Sequence, residues 1–201
     1  MTVCEASKDI RYLLNRGYKK SYALTCVCNH YQLTQENRHF LARTTFSDEE
    51  AAAIQAKKVS IDTIHQKDLA VDGYNVLITV EALLKGEAVI CDDLVVRDTQ
   101  GVFGKYTITD KTHIALTRIS EVIDMYHPKS VTFYFDQQVS HSGDLCSIVR
   151  NSFSYSCKTH NHVDKVLATR NIITATSDSV LIRKLQHFVD IPFEIFMSKT
   201  L

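Results

Sequence analysis

The sequence predicts an α/β protein: a Rossmann-like parallel sheet of five strands, preceded by a small all-helical N-terminal domain. Three observations predict it. Residues up to about 66 carry helical spacing and helix caps with little strand signal. From Asp68 onward, short apolar runs alternate with amphipathic helical periods. Several of those runs end abruptly in an acid, most clearly at Asp72-Gly73, where the period changes from buried strand to helix. Such alternation implies parallel pairing through right-handed crossovers. The polar connection at 59–67 divides the chain into a helical unit, 1–66, and an α/β unit, 67–201.

In the helical unit, Ile10, Leu13 and Leu14 share a helix face that stops at Gly17, a residue suited to a left-handed cap. Further helices are expected over 21–30 and 34–43, and Ser47-Asp48-Glu49-Glu50 has capping-box form before an Ala-rich helix through Lys57. The α/β unit opens with the run Leu69-Ala70-Val71 and a helix over 74–85 whose apolar positions are Val76, Leu77, Val80, Leu83 and Leu84. Residues 87–98 read as a β-hairpin inside an insertion spanning 86–108. Thr109 caps a helix that Pro128 cannot let continue. A clear strand follows at 131–135, then a helix at 143–152, a short strand at 154–157, a helix at 163–169 and a strand at 172–175. The helix 179–189 and a closing strand at 193–197 complete the expected order.

Of the 201 residues, 45% are hydrophobic, enough for one good core or for a domain with a small appendage. The formal net charge is zero, so no global field draws the chain to nucleic acid or membrane, and any polyanion site must be local. No apolar run approaches the roughly 20 residues that span a bilayer, and the six cysteines follow no repeating spacing. A cytoplasmic protein with reduced thiols and no membrane partner is the expectation, with homo-oligomerisation left open.

In a parallel sheet all carboxyl ends lie on one edge, so Asp72, Asp136 and Asp178, each after a different strand, can converge there; Asp164, near the start of a helix on the same edge, is a fourth candidate. Converging carboxylates repel, and one takes up a proton unless a cation intervenes. Hard divalent ions such as Mg2+ or Mn2+ resolve that conflict with oxygen ligands. The competing explanation is that an aspartate after a strand caps the next helix, an objection that applies most to Asp164 and Asp178.

The segments Val71-Asp72-Gly73-Tyr74-Asn75-Val76, Phe135-Asp136, Val163-Asp164-Lys165-Val166-Leu167 and Thr176-Ser177-Asp178 resemble the PIN-like nucleases, especially their NYN branch. Nearly the full length is similar to a prokaryotic family of unknown function with an N-terminal helical domain and a PIN-like C-terminal half; the openings Arg11 to Tyr18 and Ser140-His141-Ser142-Gly143 fit it. The resemblance implies a Mg2+- or Mn2+-dependent endoribonuclease-like site. Asp72, Asp136, Asp164 and Asp178 would be metal ligands and catalytic residues, with Asn75, Ser177 and Ser140 toward substrate and RNA as the partner. The alternative is a PIN-like fold kept as a nucleic-acid- or protein-binding module without turnover.

Other signals are weaker. Cys26-x-Cys28 with His30 lacks a second ligand pair at zinc spacing, so packing is favoured over metal. His160 and His162 flank the proposed site as solvated loop residues with general-acid chemistry as the minor reading. Gly101 to Lys105 lacks the ending of a phosphate-binding P-loop, but Lys105 and Arg97 remain candidates to face substrate phosphate. The basic residues Lys19, Lys20, Arg38, Arg43, Lys57 and Lys58 are interleaved with acids and read as a solvated helical surface, with a nucleic-acid-docking helix-turn-helix variant over 18–43 as the minor reading. An aspartyl-phosphate mechanism is disfavoured, since Tyr74 stands where a second acid is needed.

Overall fold

The apolar run before Asp72 becomes the middle strand of a five-stranded parallel sheet in a computed structural model that describes residues 2–98 and 105–198. Four helices come first: α1 (Thr2–Asn15), α2 (Lys20–His30), α3 (Gln35–Thr44) and α4 (Asp48–Gln55). Gly17 ends α1 at φ +81°, and its N–H and that of Tyr18 donate to the Leu14 and Leu13 carbonyls at 2.9 and 3.1 Å. A residue with a Cβ is disfavoured at that φ. Thr34 and Ser47 cap α3 and α4 by accepting from Asn37 N and Glu50 N.

The first three helices bury a core of their own around Ala6, Ile10, Ala23, Val27, Cys28 and Leu41. Cys28 is thus a packing residue, whereas Cys26 is exposed. The fourth helix behaves differently. Phe46 and Ile54 belong to the core of the α/β unit, packed with Ala70, Leu181 and Phe188. Beyond α4, the chain pairs with the sheet edge: Val59 N donates to Phe188 O and Phe188 N to Lys57 O, at 2.9 and 3.0 Å.

The α/β unit runs β1 (Asp68–Asp72), α5 (Gly73–Lys85), β2 (Ala88–Ile90), β3 (Val96–Asp98), α6 (Asp110–Met125), β4 (Ser130–Asp136) and α7 (Ser142–Phe153). It continues through β5 (Ser156–His160), α8 (Val163–Ala168), β6 (Ile173–Ala175), α9 (Ser179–Lys184), β7 (Phe188–Val189) and α10 (Ile191–Ser198). The spatial order is β5-β4-β1-β6-β7. The chain builds outward from β1 through β4 to β5, then crosses back to place β6 on the other side of β1. That reversal opens a crevice at the carboxyl ends of β1 and β6. Val71, Phe133 and Phe135 face a core shared with α5, α6, α7 and α10, while Ala70 and Tyr134 face α8 and α9.

Three expectations are corrected. Residues 193–197 are helix, not strand: Asp190 stands before α10 and accepts from Phe193 N at 3.0 Å, Pro192 sits in the first turn where no N–H is needed, and Ile191 and Ile195 turn inward. The last strand is instead Phe188–Val189, so the helix expected to reach 189 stops at Lys184. The expectation of uniformly reduced thiols also fails, because Cys146 on α7 and Cys157 on β5 form a disulfide, with Cα atoms 5.2 Å apart. By loop-closure entropy, a Cys146→Ser, Cys157→Ser variant is expected to lose about 3 kcal/mol in urea unfolding, and reductant should reproduce the loss in the wild type.

The inserted hairpin forms as expected, with Ala88 opposite Asp98 and Ile90 opposite Val96. The Gly101 to Gly104 part of the weak phosphate-loop signal lies outside the described residues. No described helix is long and apolar enough to cross a membrane.

Candidate active site

Each of the four aspartates singled out by the sequence borders one cleft of about 440 Å3 at the carboxyl edge of the sheet. The topology explains why. Asp72 ends the central strand; its neighbour across β4 is Tyr134, and Asp136 lies two residues further on the same face. Asp178 follows β6 on the other side, and α8, which crosses between β5 and β6, carries Asp164.

Asp72 is half-buried at the floor of the cleft. It precedes α5 but does not cap it; its Oδ2 instead accepts the Thr176 hydroxyl at 2.9 Å. Desolvation raises its pKa from 3.8 to about 7, the Thr176 hydrogen bond opposes the rise, and the charges of Asp178, Asp164 and Asp136 add to it. The other three aspartates thus act on Asp72, though burial is the larger cause of its shift. The four are not yet a closed cage: among the described residues no three His, Cys, Asp or Glu side chains are gathered closely enough to hold a metal ion.

The other three aspartates divide between local and shared roles. Asp178 does cap its helix, its Oδ1 accepting from Val180 N at 2.7 Å, so the capping explanation applies to it even as it lines the cleft. Asp136 Oδ1 accepts from Gln138 N at 2.9 Å. Asp164 does not cap α8, whose preceding residue is His162, and it pairs with Lys184 at 3.3 Å.

Asn75 ties β1 to β6: its Oδ1 accepts from Ser177 N at 2.6 Å and lies 3.3 Å from Thr176 Oγ1. The Ser177 hydroxyl is buried beside the cleft and has no hydrogen-bond partner among the described residues. An orphaned buried hydroxyl is costly unless a ligand group meets it. Gly73 makes the strand-to-helix turn possible. A Cβ there would lie 2.6 Å from the Phe135 ring and 2.8 Å from the Tyr134 carbonyl, and backbone cannot step aside. Gly73→Ala is expected to cost about 1–3 kcal/mol in chemical unfolding, and to weaken divalent-ion binding by displacing Asp72 and Asn75.

Two expected substrate residues lie elsewhere. Ser140 Oγ both donates to Tyr106 O and accepts from Tyr106 N, each at 2.8 Å, and its carbonyl accepts from Tyr74 Oη at 2.7 Å; it pins a loop outside the cleft lining. Lys105 is exposed and does not line the cleft.

Arg97, a candidate to face phosphate, does line the cleft, but it is buried, with Nη1 and Nη2 on the Asp93 carboxylate at 2.7 and 2.6 Å and Nε on the Ser177 carbonyl at 2.7 Å; the rest of that wall was missed. Burial works against the Arg97 charge, but the Asp93 pair outweighs that and raises its pKa. Arg43, from α3, pairs with Asp98 on the same wall. Thr176 was visible only as part of Thr-Ser-Asp. Nothing local in the sequence distinguished Arg43 or Asp98 from solvated surface charge.

Comparison with known proteins adds kinship without an activity. Residues 61–194 match the family profile described as "Domain of unknown function (DUF5616)", and residues 2–57 match "Protein of unknown function (DUF434)". A protein of Methanocaldococcus jannaschii, "Uncharacterized protein MJ0935", is 39% identical over 199 residues, covering 95% of both chains. No solved structure matches the chain.

Proposed function

From a chain that belongs to the family described as "Domain of unknown function (DUF5616)", we propose a divalent-metal-dependent phosphodiester hydrolase acting on RNA, on a PIN-like fold of the NYN type. The observation that carries this reading is the convergence of Asp72, Asp136, Asp164 and Asp178 on one cleft, with Asp72 raised to a pKa of about 7 partly by the other three. The donors are oxygens only, which suits Mg2+ or Mn2+ better than softer metals. Such an ion supplies a water of lowered pKa and charge stabilisation at the leaving oxygen.

The chain's own residues set the stage for that chemistry. Thr176 orients the Asp72 carboxylate, and Asn75 holds β6 against β1 so that Asp178 stays on the cleft wall. Asp72, Asp136, Asp164 and Asp178 would hold such an ion, and its charge would offset their mutual repulsion. The Ser177 hydroxyl, a buried donor beside the cleft, is the group in this segment left to meet a ligand oxygen if the cleft opens around it.

A non-catalytic binding module is the second reading, favoured by the capping bond of Asp178 and the backbone bond of Asp136. Incubation with single-stranded and structured RNAs in Mg2+ and in Mn2+ separates the two. Metal-dependent hydrolysis that disappears in Asp72→Asn supports the enzyme; RNA binding without cleavage under every condition supports the module.

A further inference from the structure

We propose that the turn joining α1 to α2 is a stacking platform for single-stranded RNA. The inference deepens the reading of the cleft, because it rests on RNA as the ligand. Among the described residues, the large hydrophobic side chains recorded as exposed include three aromatic rings, Tyr12, Tyr18 and Tyr22, at 58%, 58% and 66% exposure. All three fall within eleven positions of the chain, at the end of α1, in the turn and at the start of α2. Three exposed rings carried on the two sides of one short turn offer a candidate contact surface.

The chemistry around the rings favours a nucleic acid over a protein. Arg16 lies over the Tyr12 ring at 5.0 Å, the arrangement that supplements base stacking with positive charge, and Lys19 extends the turn. The acidic start of α4 is occupied nearby, Asp48 with Asn15 and Glu50 with Arg183. Exposed aliphatic side chains, which a protein-docking patch would mix with the rings, lie elsewhere: Ile90 and Leu94 on the hairpin, Ile114 and Met125 on α6. Bases offer flat faces to rings and phosphates to cations, and single strands expose both.

The platform is also connected to the cleft. Lys20, which follows the turn, stands 4.2 Å from the Phe46 ring, and Arg97 of the cleft wall lies 5.0 Å from that same ring. Phe46 and Arg97 are buried, so these contacts pack the turn against the cleft wall from the inside.

Fluorescence anisotropy of the full chain with a labelled single-stranded 15-nucleotide RNA, in EDTA to stop hydrolysis, tests this. Changing Tyr12, Tyr18 and Tyr22 together to Ala should weaken binding by about 100-fold, given the affinity that each stacked base contributes, while the corresponding Phe variant stays within about threefold of wild type. The same sequence as a duplex should bind at least about tenfold more weakly, and Arg16→Gln should lower the salt dependence by about one phosphate contact. An Ala variant that binds like wild type, equal affinity for duplex, or no binding by the wild type overturns the platform. If strand binding holds but no RNA is cleaved, the catalytic reading fails and the platform stands; if cleavage occurs with unchanged KM in the Ala variant, the platform fails and the catalytic reading stands.

Discussion

Asp72→Asn is expected to make the metal-free protein more stable at pH 8 while abolishing its response to Mg2+ or Mn2+. The folded protein raises the Asp72 pKa from 3.8 to about 7, so between those pH values the native state binds more protons than the unfolded chain. Stability is therefore fully present below about pH 4 and declines as pH rises to about 7. The cost of holding Asp72 ionised is on the order of 4 kcal/mol, of which the amide variant should recover about 2 to 4. In thermal melts at pH 8 this corresponds to a Tm roughly 5 to 10 °C above wild type. The pH dependence should flatten as well. Mg2+ should raise the wild-type Tm and leave the variant unmoved, since bound cation stabilises only the state that holds it. A variant less stable than wild type at pH 8 would mean that Asp72 serves as a structural ligand of Thr176 rather than as part of a repelling cluster.

The second large effect lies in the cleft wall. Arg97→Leu should destabilise the protein by about 3–5 kcal/mol in urea unfolding, because it strands the buried Asp93 carboxylate without its bidentate partner. Replacing both residues with apolar ones of similar size, Arg97→Met with Asp93→Leu, should bring stability back to within about 1–2 kcal/mol of wild type. The double variant separates folding from site geometry. With Arg97 gone, the hairpin no longer holds the Ser177 carbonyl at 2.7 Å, and the segment after β6 keeps only its ties to Asn75 and Asp72 among those described at the cleft. Divalent-ion affinity should therefore stay low even where stability recovers. Full recovery of both would reduce Arg97 to a packing element.

Much of the sheet was legible because its signals are local. Leu69-Ala70-Val71 before Asp72-Gly73 announces a buried strand and a turn, and the strand ending at Asp136 is equally plain. The convergence of four aspartates followed from parallel topology alone, since strand ends share an edge. The end of the chain was illegible for a physical reason: Phe193 to Met197 are the residue types strands favour, and only the Asp190 cap and Pro192 in the first helical turn reveal the helix. Phe188–Val189 was too short to register against the helix before it. The wall formed by Arg43, Arg97 and Asp98 depends on α3 and the hairpin meeting across the cleft, and no periodicity encodes that meeting. Ser140 was misplaced because a loop serine reads alike whether it binds substrate or, as here, pins Tyr106.

The central claim is that four aspartates form a single cation site, and a calorimetric titration with Mn2+ near pH 7 tests it most directly. The wild type should bind saturably and release protons to the buffer, as the ion would displace the proton of a raised Asp72. Asp72→Asn combined with Asp178→Asn should abolish that binding with the fold intact by circular dichroism. Absence of binding in the wild type, or binding unchanged in the double variant, would contradict the account and leave these aspartates as helix caps and loop ligands.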